Sequence, residues 1–317
     1  MKLNRAGIVD IFIPSYNRAD NLRTVNYFLK NEYPAERLHV VVDDASEKEM
    51  INKYRAVSQK TETHLHIFSM EEARRRYDYV HRPSELRRSA GQARNMIFDI
   101  ADKLSIDFYV VIDDDTVYFE IKKRGRYCKV ANMKEITDVF ELVKKFMKKR
   151  RIGLWGLSQT GDFIGGENRK LYRRKVMNTA FYNRKYIYRG ERGVQDDDTS
   201  LFTCVQSEGL FTGSNGEGVL IKQKESAVQE GGLTDLYKEC KLLNKSLVCP
   251  IQHPSAIWAT KQERNGGRLH HHVNKRYLYP KLLKIPGGND NIAWDTYSED
   301  YPFTLEPKRD GDITEEE

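Results

Sequence analysis

Three carboxylates stand in a row at Asp113-Asp114-Asp115, directly after the apolar run Phe108-Tyr109-Val110-Val111-Ile112. Adjacent carboxylates repel one another, which is costly unless a cation sits among them. Asp113 and Asp115 are one residue apart, so one can reach a sugar hydroxyl while the other meets a hard divalent ion. Oxygen-only ligation suits Mg2+ or Mn2+ bridging a diphosphate. Two further polar clusters follow apolar runs: Pro14-Ser15-Tyr16-Asn17-Arg18 and Asp43-Asp44. A second acidic triplet is Asp196-Asp197-Asp198, and three histidines, His270-His271-His272, follow a Gly-Gly pair.

The elements that must carry these residues alternate between strand and helix patterns over about residues 1–120, as parallel α/β sheets require. Ile8–Ile13, Leu38–Val42, Leu65–Phe68 and Phe108–Ile112 read as strands. Helices are expected from about Asp20, from Ser46 to about Val57 and from Ser89 to Leu104. Asp20 and Ser46 are their expected caps, and Ala93, Met96, Ile97, Ile100, Ala101 and Leu104 form the apolar face of the third. Beyond this half come an amphipathic helix over 134–150, a strand over Ile152–Leu157 and a short strand over Thr179–Tyr182. Asp198 or Thr199 can cap a short helix with Leu201, Phe202 and Val205, whereas 262–275 shows no periodicity and reads as a mobile stretch. In an open α/β sheet, ligands bind beyond the carboxyl ends of the strands, where the first three polar clusters fall.

Pro14-Ser15-Tyr16-Asn17-Arg18, Val42-Asp43-Asp44-Ala45-Ser46, Gly91-Gln92-Ala93-Arg94-Asn95 and Ile112-Asp113-Asp114-Asp115 resemble, in order and spacing, family 2-like glycosyltransferases. The resemblance covers roughly residues 8–118 and implies an α/β fold of the GT-A type: a mostly parallel central sheet, helices on both faces and an Asp-x-Asp motif. It puts the first loop (Pro14, Ser15, Tyr16 and Arg18) around the nucleotide base. It puts Asp43 or Asp44 on base or ribose, Arg94 near the phosphates, Asp113 and Asp114 on the nucleotide sugar, and Asp115 with Asp113 on Mn2+ or Mg2+. The donor it implies is a nucleotide-diphosphate sugar, with UDP the first expectation. Asp197-Asp198 resembles the Glu-Asp pair that opens a helix in the same family, with Asp197 where Glu is usual, so the base of an inverting transfer is Asp198 or Asp197. The chemistry there needs a carboxylate that accepts the proton of the attacking hydroxyl. The bland alternative is helix capping by Asp198. Many GT-A enzymes complete metal coordination with a histidine from a C-terminal loop, for which His271 and His253 are the candidates.

The acceptor is read from composition and from one stretch of sequence. The chain has 317 residues with a formal net charge of +7, and five acids fall in the last eight residues. Without that tail the balance is +12 (53 basic against 41 acidic), which favours phosphate-bearing partners. Residues 169–192 mix cations with rings suited to a nucleic-acid backbone and an extruded base: Arg173, Arg174, Tyr182, Arg184 and Tyr186. Ser89–Asn95 and the Asp-Asp-Asp-Thr-Ser run are also similar to the TET-associated glycosyltransferases, which implies sugar transfer to 5-hydroxymethylpyrimidines in phage-type DNA modification. Transfer to a glycan or protein, and sugar nucleotidyl transfer, are the competing readings. No apolar run is long enough to span a membrane, no secretory signal is expected, and four scattered cysteines fit a reducing cytoplasm. No protein partner is inferred. The organisation expected is one catalytic domain over 1–309, with a donor half over about 1–120, an acceptor half over about 121–309 and an acidic tail over 310–317.

Overall fold

The computed structural model describes residues 4–77, 90–123, 126–159, 175–187, 197–208, 210, 212–214, 219–223, 246–262, 268–274, 283–284 and 291–292. β-branched and aromatic runs supply the first four strands: β1 Asp10–Pro14, β2 Leu38–Asp43, β3 His64–Phe68 and β4 Phe108–Ile112. Every residue of β2 and β4 is buried, as expected for strands covered on both faces. β5 Thr116–Lys123, β6 Arg126–Lys129, β7 Leu154–Gly156, β8 Ser158–Gln159, β9 Thr179–Asn183, β10 Thr212–Ser214 and β11 Val219–Gln223 follow, then β12 Ile257–Gln262 and β13 Arg268–Val273.

Seven strands form the central sheet in the order β10-β7-β9-β4-β1-β2-β3. The pairs β1–β2, β2–β3, β1–β4 and β7–β10 are parallel, and β9 runs antiparallel between β4 and β7. A second sheet has the order β6-β5-β11-β8.

Helices cover both faces of the main sheet. On one side α1 Arg23–Lys30, α2 Lys48–Thr61 and α5 Met133–Arg150 bury Val25, Phe28, Tyr54, Ile136, Val139, Phe140 and Val143 against Ile11, Ile13, Val40 and Val110. On the other side α3 Met70–Arg76, α4 Ala90–Lys103 and α6 Asp197–Ser207 pack Ala73, Met96, Ile97 and Leu201 onto Phe12, Val41, Tyr109 and Val111. Each fully buried large side chain of this kind stabilises the fold by roughly 1.5–3 kcal/mol.

Local chemistry sets several helix ends. Asn132 caps α5 by accepting from the Glu135 amide, and the Glu135 carboxylate accepts in return from the Ala131 amide. Four sequence expectations are corrected here. α1 begins at Arg23 behind a short 3-10 turn at Ala19–Asn21, so Asp20 does not cap it. α2 starts after Glu47 and makes no side-chain cap bond, so Ser46 is not its cap. Leu104 lies one residue past the end of α4 and is 45% exposed, off the apolar face. Residues 268–273 are a strand paired with β12, where sequence alone read a mobile stretch. Among the described residues no helix is long and apolar enough to cross a membrane.

Candidate active site

Parallel pairing brings the ends of β1, β2 and β4 to one edge. The Ser15 amide donates to the Val41 carbonyl just past β1, and the Asp44 amide donates to the Phe68 carbonyl just past β2. The acidic triplet leaves β4 at this edge, held by the first turn of α1. Thr24 donates its hydroxyl to the Asp113 carbonyl and accepts from the Thr116 amide at 3.0 Å, while the Thr24 amide donates to the Asp114 carbonyl at 3.2 Å.

Each acid of the triplet then meets a different fate. Asp114 is almost wholly enclosed: Ser15 Oγ donates to its Oδ2 at 2.5 Å, and Arg18 Nη1 to its Oδ1 at 2.6 Å. The single serine proton points at the carboxylate, so Tyr54 OH is the donor in its 2.8 Å bond with Ser15 Oγ. The same phenol accepts from the Arg18 amide at 2.9 Å. Burial pushes Tyr54 up to about 12, which keeps it a donor at neutral pH. Burial also pushes Asp114 up, against the opposing pull of Arg18, whose guanidinium holds its proton throughout the ordinary pH range. Asp113 pairs through Oδ1 with Arg94 Nη2 of α4 at 2.7 Å.

Asp115 is left short of partners. Its Oδ2 lies 3.4 Å from Arg18 Nη1, and its Oδ1 is buried with no hydrogen-bond partner. Burial first, and the Asp113 and Asp114 carboxylates next, push its carboxyl up to about 7. Three carboxylates thus face two guanidiniums. An unmatched negative charge and an unsatisfied buried oxygen suit a hard divalent cation. Among the described residues, no three His, Cys, Asp or Glu side chains are already gathered into a metal-binding group.

Asp198 lies in the first turn of α6, where Lys175 Nζ holds its Oδ2 at 2.9 Å and the Thr199 amide donates to its Oδ1 at 2.9 Å. Asp198 and Arg94 line one recess, together with Val111, Asn178, Ala180 and Tyr182. The second acidic run therefore reaches the same edge as the first. Asp197 opens α6 one residue earlier.

Other expected site residues are distributed as follows. Pro14 ends β1 and is buried, and Tyr16 is half-buried in the loop beyond it. Asp43 is buried at the end of β2, while exposed Asp44 accepts from the Met70 amide at the start of α3. Arg18 and Arg94, expected on the base and the phosphates, are engaged with the triplet itself. His271 Nε2 is 3.5 Å from Thr199 Oγ1 and His253 Nε2 is 3.2 Å from Ser200 Oγ, so both histidines attach to α6.

The acceptor set needs correction. Tyr182 is 4% exposed and stacks on Tyr109 at 5.1 Å, so its ring is largely covered where it lines the recess beside Arg94 and Asp198. Arg184 is bonded to Asp102 and to the Ile106 carbonyl. It and half-buried Tyr186 lie beyond the far end of β9, which runs from Thr179 beside Ile112 to Asn183 beside Phe108. An antiparallel strand carries them to the edge opposite the triplet. Arg173 and Arg174 fall outside the described residues. Sequence reading missed Tyr54 and Thr24, lone residues with no local motif around them, and gave Lys175, inside the basic 169–192 stretch, no role at the acidic edge.

A mostly parallel sheet with covered faces and an Asp-x-Asp turn beyond its fourth strand is the architecture expected of a GT-A-type glycosyltransferase. The chain matches the family model described as TET-Associated Glycosyltransferase over residues 9–232, well over half its length, and it belongs to that family. Among curated proteins no significant match is found. Among solved structures it is similar to the mannosyltransferase PcManGT from Pyrobaculum calidifontis, solved in complex with GDP-Man and Mn2+. The TM-score is 0.48 with 16% identity, covering 75% of this chain and 62% of that one.

Proposed function

We propose that the chain moves a sugar from a nucleotide-diphosphate donor, with inversion, onto the hydroxyl of a 5-hydroxymethylpyrimidine in DNA. The observation that carries the donor half is the buried, unpartnered Oδ1 of Asp115 in a triplet with more acids than arginines. Asp115 and Asp113 would hold Mn2+ or Mg2+, which when bound supplies a positive charge for the departing diphosphate. Asp113, Arg94 and the Pro14–Arg18 loop line the edge where the nucleotide would lie, with Asp43 or Asp44 toward base or ribose. A UDP sugar is the first donor to test and a GDP sugar the second. Asp198 accepts the proton of the attacking hydroxyl as the new bond to the anomeric carbon forms and the bond to the diphosphate breaks. Lys175 and the Thr199 amide orient it. The DNA acceptor is supported by family membership and by the positive balance of the chain. One catalytic domain over 1–309, with the nucleotide held by the first 120 residues or so, is part of the same reading.

The test is nucleoside mass spectrometry. DNA carrying 5-hydroxymethylcytosine or 5-hydroxymethyluracil is incubated with the protein, Mn2+ and a panel of nucleotide sugars, then digested. A nucleoside heavier by one sugar is the expected result. Sugar on an added glycan or peptide but never on DNA rejects the acceptor, and release of pyrophosphate instead of nucleoside diphosphate rejects glycosyl transfer.

A further inference from the structure

The loop beyond β1 and the acids beyond β4 share one buried phenol. Tyr54 sits in the middle of α2, fully buried, with its ring packed in the core. Its hydroxyl bridges the two ends of the loop, donating to Ser15 Oγ at 2.8 Å and accepting from the Arg18 amide at 2.9 Å. Between those ends Asn17 turns the chain at a φ of 52°, in the left-handed region that asparagine tolerates. The side chains at both ends then converge on the triplet. Ser15 Oγ donates to one oxygen of Asp114 and Arg18 Nη1 to the other at 2.6 Å, while the same nitrogen stays 3.4 Å from Asp115 Oδ2. That inequality matters. A guanidinium moved onto Asp115 would compete with a cation for the acid whose Oδ1 is buried without a partner.

We infer that Tyr54 is a positioning residue for the metal: by pinning the Ser15–Arg18 turn it keeps Arg18 on Asp114 and leaves Asp115 open to the cation. The inference rests on the Mn2+ or Mg2+ site proposed above at Asp115. A buried hydroxyl whose donor and acceptor sides are both engaged holds one orientation, so it can fix the groups around it. Deleting it leaves the buried Arg18 amide without this acceptor, a cost the backbone relieves by shifting. A shifted Arg18 is free to close its 3.4 Å gap to Asp115. A second buried phenol supplies the comparison. Tyr33 accepts from the Val9 amide at 2.9 Å and donates to the Val9 carbonyl at 2.7 Å, and neither bond reaches the triplet. Removing its hydroxyl is the same chemical deletion in the same core, without the loop.

Mn2+ titrations of the full chain, read by water-proton relaxation alone and with UDP or GDP present, test this without any turnover. Tyr54→Phe should bind Mn2+ about three- to tenfold more weakly than wild type, the equivalent of one hydrogen bond, and Tyr33→Phe should bind it as wild type does. Both variants keep the buried ring, and melting curves should show a similar loss of stability in each. Equal Mn2+ affinity in wild type and Tyr54→Phe overturns the positioning role and leaves the metal site standing. Tighter binding in Tyr54→Phe overturns it as well, because Arg18 would then have been competing with the cation from its pinned place. Equal weakening in Tyr33→Phe assigns the effect to a loosened core and rejects the inference. No Mn2+ binding by wild type, with or without nucleotide, overturns the metal reading and the inference together.

Discussion

The two ends of the central sheet hold similar polar groups and treat them differently. At the carboxyl ends, Asp113, Asp114 and Asp115 share two arginines, and one buried carboxylate oxygen has no partner. Toward the amino ends, Asp10 meets Arg37 at 3.1 Å and His39 Nε2 at 3.2 Å, while His39 Nδ1 lies 2.9 Å from His66 Nε2. The His39 ring stacks between Phe12 at 4.5 Å and His64 at 4.9 Å. Burial there raises Asp10, but the bond from His39 and the charge of Arg37 outweigh it and hold the carboxyl below its ordinary value. One end is neutralised from within, and the other is left waiting for something from outside. Electrostatic frustration persists where a ligand can relieve it.

The largest effect should come from relieving that frustration artificially. With Asp115 in its proposed role as cation ligand, Asp115→Asn should lower transfer by on the order of 10³-fold or more while thermal stability holds or rises. Asp198→Asn should cost about 10²–10⁴ in the chemical step and leave donor binding near normal. Single-turnover rates beside donor titrations separate the two variants. Near-normal rates in Asp198→Asn would move the base to Asp197 or leave Asp198 a cap.

A smaller effect is expected from Arg18→Met, which strands the enclosed Asp114 carboxylate. Breaking such a pair costs about 3–5 kcal/mol. The urea midpoint should drop accordingly, and adding Asp114→Asn should recover most of the loss. If the single variant unfolds at the wild-type midpoint, Arg18 is not what neutralises the triplet.

The smallest belongs to the other end. Burial first, then the charges of His39 and His64, push His66 down to about 4 from an ordinary 6.5. The unfolded chain takes up this proton near pH 6.5 and the native chain only near 4, so stability should decline as pH falls across that window. Asp10 acts outside it, because its lowered pKa keeps its contribution until the pH drops below 3.8. Melting temperatures of wild type and His66→Gln across pH 4–7 test the point. An unchanged slope in the variant would take His66 out of the pH response.

The donor edge was legible because parallel strands buried on both faces write themselves as unbroken apolar runs, and β4 matches its expected span residue for residue. Acids at the ends of such strands can only share an edge. The partners of those acids were not legible. Arg18 and Arg94 look like ligands for base and phosphate in isolation, and their pairing with the triplet depends on three-dimensional register. Tyr54 reads as one apolar position of a helix, and nothing local says that its hydroxyl braces Ser15. The basic aromatic stretch misled because reading composition ignores direction: β9 runs antiparallel, turning Tyr182 into the core and carrying Arg184 away. β13 escaped notice because its alternation sets histidines against leucine and valine, with little hydrophobic contrast.

That antiparallel strand also governs when the enzyme becomes competent. Lys175 precedes β9 in sequence and Asp198 follows it, and the two meet at 2.9 Å. The contact needs β9 docked between β4 and β7, so it follows the strands of the parallel core that β9 pairs with. A nascent chain released just past Asp115 already holds the triplet and lacks Asp198, the proposed base. Transfer activity in refolding should therefore lag behind recovery of the parallel core, so a half-made enzyme has no means of turning over its donor.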